Sequence, residues 1–413
     1  MNQHDAADRV TRAARDSYGR LVAWLAYQWR DVAAAEDALA TALAKALEVW
    51  PVRGVPDAPE AWLLTVAKRE LLQAARHQRL HASPEVQALL EDEAFYEAAP
   101  PVPDARLKLL FVCAHPAIDA AIRPALMLQT VLGLEAGVIA QAMLTSPTAM
   151  AQRLVRAKQK IRDARLRFEE PESDELPDRL HAVLEAIYAA YGLGWDDGEA
   201  QSGDAHLRTE ALYLGDVVCA LLPNEPEAMG LLALMQFSEA RRAARLSGEG
   251  AFVPLAEQDA QQWDRARIEQ AEALLWRASR CKQLGPFQIE AAIQSAHCQR
   301  LFGSATPWAA IVQLYTQLLT LAPSIGAQVA YAVALAQAGE LEQARAQLAA
   351  LDATRVKSYQ PYWVAKAHVE ALARQVAAAR ASLTRAIGLT SDPATRTYLQ
   401  QKLASLARFT LAA

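Results

Sequence analysis

Arg153, Arg156, Lys158, Lys160, Arg162, Arg165 and Arg167 crowd into the stretch from Thr148 to Arg167, where Asp163 is the single anion. The whole chain has a formal net charge of −5, so this density of cations runs against the global trend. Guanidinium and ammonium groups packed this closely grip phosphates, and arginine forks also read base edges. The chemistry on offer is therefore recognition of a polyanion. No phosphate loop, Ser-His-Asp constellation or pair of carboxylates in a recognisable context accompanies the cations, so the sequence predicts a non-enzyme with no catalytic residues and no cofactor. Cys113, Cys219, Cys281 and Cys298 lie far apart with no C-x-x-C pair, which predicts reduced core thiols and no metal site. Cys113 and His115, beside Pro116, are read as core and cap. Asp196-Asp197-Gly198 and Gln201-Ser-Gly-Asp lack the ligand spacing and closing Glu of a calcium loop and are read as turns.

Two helices must position the cations. Val138, Ile139, Ala140 and Met143 form the expected apolar stripe of the first, and Leu144 and Thr145 the turn after it. Ser146 is suited to N-capping and Pro147 to the first helical position, so a second helix is expected from about Pro147 to Arg167. Met150, Leu154, Ala157 and Ile161 recur every three or four residues as its buried stripe. That phase leaves Thr148, Ala149, Gln152, Arg153 and Arg156 outward near the N-terminus, where a recognition helix meets bases. A solvated basic helix with no ligand is the competing reading. Cap, turn and charge localisation together favour a DNA reader.

At 413 residues the chain is long enough for two to four domains. A hydrophobic fraction of 53%, only 17 glycines and no strictly alternating Val, Ile or Thr run predict an all-α fold. The N-terminal MNQHDAADRV has neither a basic start nor an apolar run, and no segment approaches the roughly 18 apolar residues of a membrane span. A cytoplasmic protein is expected.

Val10 to His81 reads as three helices: an aromatic-rich one over Tyr18 to Trp29, an Ala-rich one over Asp31 to Trp50, and one from Glu60 to about Arg79. Between the last two, the prolines and Gly54 of Pro51 to Pro59 enforce a loop. The third helix carries Lys68, Arg69, Arg76 and Arg79, and Trp62 near its start is either a strand-propping contact or core. An acidic, proline-containing linker runs from Ala82 to Pro103. From about Leu180 to Leu406 a helical array follows, in which Ala344 matches Ala379 and Leu348 matches Leu383 at an offset of 35. That offset is close to the tetratricopeptide period of about 34. Gly339 serves the turn of the first copy, Arg374 replaces it in the second, and that second turn is expected to be tighter or differently built.

DVAAAEDALATALAKALEVWP with GVPDAPEAWLLTVAKRELLQAARHQR resembles region 2 of bacterial extracytoplasmic-function sigma factors. LLFVCAHPAI, LGLEAGVIAQAML and AMAQRLVRAKQKIR resemble their region 4. LLPNEPEAMGLLALMQFSEARRAAR, LAEQDAQQWDRARI and LGPFQIEAAIQSAH resemble the extension of the group with a C-terminal tetratricopeptide-like (TPR-like) array. The resemblance implies a region 2 bundle over 1–83, a linker over 84–103, a region 4 helix-turn-helix over 104–170 and the array over 178–413. It also implies a transcription initiation factor that binds core RNA polymerase through its clamp helices and flap and reads promoter DNA. In that scheme Asp31, Glu36 and Asp37 meet polymerase, and Trp62, Lys68, Arg69, Arg76 and Arg79 face the −10 element. Ser146, Thr148, Gln152, Arg153, Arg156 and Lys160 face the −35 element, while the extension regulates regions 2 and 4 by intramolecular contact, with no membrane partner. The chain departs from the family pattern at Glu70 and Gln73, where relatives carry Arg and Asp. It departs again at AAYGLGWDDG from Ala189, where they carry an Asn-Glu-Gly-Tyr-type stretch. These departures leave a second reading open, a TPR-type interaction adaptor with a degenerate sigma-like module.

Overall fold

A computed structural model describes residues 17–78, 105–143, 145–166, 168, 171, 175–196 and 204–411. The chain is all-α: beyond helices, the described residues hold only a bridge between Leu246 and Phe252. No described helix is long and apolar enough to cross a membrane. Contacts divide the chain into two compact units, Met1–Val217 and Val218–Ala413. The linker over 84–103 lies outside the described residues, as do Asp197, Gly198 and the Gln201-Ser202-Gly203 loop.

The first unit begins with α1 (17–29), α2 (Val32–Arg53) and α3 (Pro59–Gln78). Arg30 breaks α1 from α2 with a left-handed backbone (φ 54°), and Asp31 then caps α2 by accepting from the Ala34 N–H at 3.0 Å. Leu21, Leu25, Leu39, Trp50 and Leu63 are fully buried in this unit. The loop expected from Pro51 starts later, because α2 runs through Pro51 to Arg53. Proline in the last turn loses one helical hydrogen bond but need not end the helix. The stop falls at Gly54 (φ 85°), whose N–H returns to the Trp50 carbonyl.

After the linker come α4 (Arg106–Cys113), α5 (Arg123–Thr130), α6 (Ala136–Ala142), α7 (Pro147–Asp163), α8 (Leu176–Asp196) and α9 (Asp204–Leu221). Cys113 is buried against Thr130 (Sγ to Oγ1, 3.4 Å), and burial pushes its thiol up to about 12, as suits an inert core cysteine. His115 accepts from the Ala117 N–H through Nδ1 in the turn behind α4. α8 packs on α5, and Arg106 on α4 pairs with Glu210 on α9. All four cysteines are free of disulfides.

The second unit is built around α10 (Pro226–Ala240), buried along most of its length. Glu227 accepts the Phe287 and Gln288 N–H groups at 3.0 and 3.1 Å, capping α12 (Pro286–Cys298) from a neighbouring helix. At Gly230 a Cβ would lie 2.7 Å from the Gln288 nitrogen, so the crossing of α10 and α12 requires glycine. α11 (Arg265–Arg280) covers α10, and α13 (Trp308–Leu321) leads into two hairpins. These are α14 (Ile325–Gln337) with α15 (Leu341–Ala349), and, after the short α16 (Ala353–Val356), α17 (Gln360–Leu372) with α18 (Val376–Leu389). α19 (Pro393–Leu411) closes the array.

Both hairpins keep the 35-residue offset, and Ala344, Leu348, Ala379 and Leu383 are all buried. The expected difference at Arg374 is not found. Arg374 takes φ 57° where Gly339 takes 92°, and both turns close alike: Glu340 N–H to the Leu335 carbonyl at 2.9 Å, Gln375 N–H to the Glu370 carbonyl at 2.8 Å. The closing hydrogen bonds of the helix end dictate the left-handed residue, and the arginine bears its strain.

Candidate nucleic-acid interface

The basic helix begins as its sequence requires. The Ser146 hydroxyl accepts from the Ala149 N–H at 3.2 Å, and Pro147 occupies the first helical position. Met150, Leu154, Ala157 and Ile161 are the buried residues of α7. Their phase turns Thr148, Gln152, Arg156 and Lys160 to solvent, with Ser146 exposed at the cap and Arg153 half-buried. Helix N-terminal N–H groups and exposed guanidiniums on one face suit a phosphate-bearing groove. Val155 lies on the same face and is 67% exposed, a residue the sequence reading passed over. An apolar side chain there can contact a thymine methyl.

Two expectations for this motif are corrected. Val138 and Met143, assigned to the buried stripe of the first helix, are 44% and 37% exposed, while Ile139 and Ala140 are buried. α6 spans only Ala136–Ala142, and a helix so short buries one turn of its surface. Leu144 in the turn lies outside the described residues, and the Thr145 N–H closes onto the Ala140 carbonyl. The basic helix ends at Asp163, short of Arg167. Arg165 turns left-handed (φ 48°), and the N–H of buried Leu166 reaches back to the Ile161 carbonyl, a hydrophobically anchored C-terminal stop.

The cations of α7 divide into two sets. Lys158 and Arg162 turn toward α2: Lys158 pairs with Glu36, with both side chains largely buried, and Arg162 lies 3.7 Å from Asp31. Burial raises the Glu36 carboxyl pKa, with Lys158 opposing the shift, and its Oε1 makes no hydrogen bond among the described residues. Burial and then the Glu36 and Asp37 charges push the Tyr18 hydroxyl up as well. Of the three carboxylates assigned to polymerase, Asp31 thus caps α2 and faces Arg162, Glu36 holds Lys158, and Asp37 is exposed. The sequence counted Lys158 and Arg162 among the cations and missed their partners, which lie more than a hundred residues upstream, where no local spacing signals them.

On α3, Trp62 is half-buried and meets Trp50 edge-on, with centroids 5.5 Å apart. Lys68 lies 4.3 Å over the Trp24 ring, and burial lowers its pKa to about 8. Arg69 and Gln73 are exposed. Glu70, expected to depart from the sigma-factor pattern, pairs with Lys45 and so joins α3 to α2. The side chain of Arg76 and the whole of Arg79 lie outside the described residues.

A family of unknown function, DUF6596, matches residues 179–279. An uncharacterized protein of Rhizobium meliloti (strain 1021) is similar over 387 residues at 34% identity, covering 92% of this chain and 91% of its own. No solved structure matches the chain.

Proposed function

We propose that this chain, which belongs to one family with that Rhizobium meliloti protein, is a transcription initiation factor of the extracytoplasmic-function sigma type. The observation that carries the reading is α7: a capped helix whose core face is buried and whose outward face holds Thr148, Gln152, Arg153, Arg156 and Lys160. In this reading α6 and α7 are the region 4 reader of the −35 element, and the α1 to α3 bundle is region 2, meeting the −10 element with Trp62, Lys68 and Arg69. The C-terminal unit is the regulatory extension, and its two hairpins at an offset of 35 support a TPR-like array. Asp31 and Glu36 would have to exchange Arg162 and Lys158 for the polymerase clamp helices, so engagement includes an opening of the α2–α7 contact.

The same contact favours the second reading, an adaptor whose sigma-like module is a closed scaffold. Co-elution of the full chain with core polymerase, followed by run-off transcription on fragmented genomic DNA, separates the two. A sigma factor co-elutes and yields discrete transcripts whose binding weakens steeply with salt. A chain that neither co-elutes nor supports any transcript loses the first reading.

A further inference from the structure

The second unit holds an open-mouthed cavity of about 640 Å³ between α12, α13, α14, α17, α18 and α19 and the loop through Phe252. That size lies within the range of about 300–1,000 Å³ that small-molecule sites occupy. Trp308, Ile311, Val333 and Leu399 give it apolar walls. Three polar side chains on its lining, His297, Tyr315 and Tyr359, make no hydrogen bond to other described residues. All three residues are partly buried and their polar atoms stay accessible, so the wall offers donors and acceptors that the fold itself does not use.

Charge narrows the class of ligand. Arg245, Arg300 and Lys402 line the cavity against one carboxylate, Glu257. Lys402 takes up that carboxylate at 3.7 Å. Arg300 is held by two neutral carbonyls, Leu255 and Gln258, each at 2.7 Å, and its guanidinium lies 5.4 Å over the Trp263 ring. It is a fixed cation beside the cavity with no carboxylate partner among the described residues. Next to it, His297 packs edge-on against Trp308 at 5.4 Å, and burial with the Arg241 and Arg300 charges lowers its pKa to about 4. The corner between Arg300 and His297 is thus cationic without protonating the imidazole, and a bound anion would meet both a charge and a neutral ring nitrogen.

We propose that this cavity binds a small amphipathic organic anion, an aromatic carboxylate whose rings fill the Trp308–Ile311–Val333 walls and whose carboxylate sits at the Arg300–His297 corner. The inference goes beyond the sigma-factor reading and does not depend on it.

The test uses the full chain, anilinonaphthalene sulfonate as a fluorescent aromatic anion, and two competitors of one shape, diphenylacetate and neutral diphenylmethanol. Expected are saturable binding at one site per chain and displacement by diphenylacetate at least ten-fold more effective than by diphenylmethanol. Val333→Phe, which fills the cavity, is expected to abolish saturable binding, and Arg300→Gln to remove most of the preference for the acid. Circular dichroism melts establish that each variant is folded, and the competition in the unaltered chain stands whatever the variants do. Absence of saturable binding, equal displacement by the two competitors, or binding unchanged in a folded Val333→Phe chain would each overturn the proposal.

Discussion

The Lys158–Glu36 pair joins two helices that the sequence separates by 122 positions, and both side chains are nearly withdrawn from solvent. Removing one member of such a pair leaves an uncompensated charge and costs about 3–5 kcal/mol, whereas replacing both with apolar residues is often neutral. Lys158→Ala is therefore expected to destabilise the chain by about that amount, and Glu36→Leu with Lys158→Met to recover most of it in denaturant unfolding. The pH dependence has a definite sign. The Glu36 carboxyl already titrates above its usual value, so the folded state holds that proton more tightly, and stability falls as pH rises through the raised value. Without Lys158 the carboxyl climbs further, so the cost of Lys158→Ala is expected to be small near about pH 4 and full near about pH 7. An equal cost at both would show that the charge pairing is not what the lysine contributes. On the outward face, if the proposed function holds, Arg153→Ala is expected to weaken binding to the cognate promoter by about 1–3 kcal/mol and relax selectivity at one position. A uniform loss across unrelated DNA, measured by titration at fixed salt, would make it a phosphate contact instead.

Helix starts were legible in the sequence where a side chain fixes them, and helix stops were not where the backbone does. Ser146, Pro147 and the Met150–Leu154–Ala157–Ile161 stripe could be read directly, because capping and burial depend on residue type. The stop at Arg165 escaped notice, and the turn placed at Arg374 was expected to differ from that at Gly339, because both arginines are left-handed residues that are not glycine, held there by hydrogen bonds reaching back into the preceding helix. A non-glycine residue pays about 1–2 kcal/mol for that conformation. Arg374→Gly is accordingly expected to stabilise the second unit by up to about 1 kcal/mol, and Gly339→Ala to destabilise it by a similar amount. Thermal unfolding of the full chain checks both. If the two substitutions shift the melt in the same direction, the turns are not the equivalent structures that their shared geometry implies. Pro51 taught the opposite lesson. A strong breaker was tolerated because it fell in the last turn, where one lost hydrogen bond is a small cost beside the burial of Trp50.

Domain limits were harder to read than elements, because they depend on which faces pack and not on any local signal. The helical array was expected from residue 178, yet α8 packs on α5, and Arg106 of α4 pairs with Glu210 of α9, both side chains mostly buried. Arg106 also stacks on Tyr213, 4.7 Å from its ring centroid. A chain cut near Phe168, the natural place if region 4 ended the first unit, would lose α8, Glu210 and Tyr213 together. Depriving a buried guanidinium of its carboxylate alone costs about 3–5 kcal/mol, a large part of a typical domain stability of about 5–15 kcal/mol. A chain ending at Leu221, the end of α9, keeps all three. The shorter chain is expected to melt at least about 10 °C below the longer one, or without a cooperative transition, by circular dichroism. Matched melts would mean that α8 and α9 contribute nothing to the fold of α4 and α5. Under the proposed function the distinction also governs how regulation is tested: silence from a chain ending at Phe168 that does not melt cooperatively would report unfolding, while the output of the chain ending at Leu221, set against the full chain, would report whether the remaining array restrains or supports transcription.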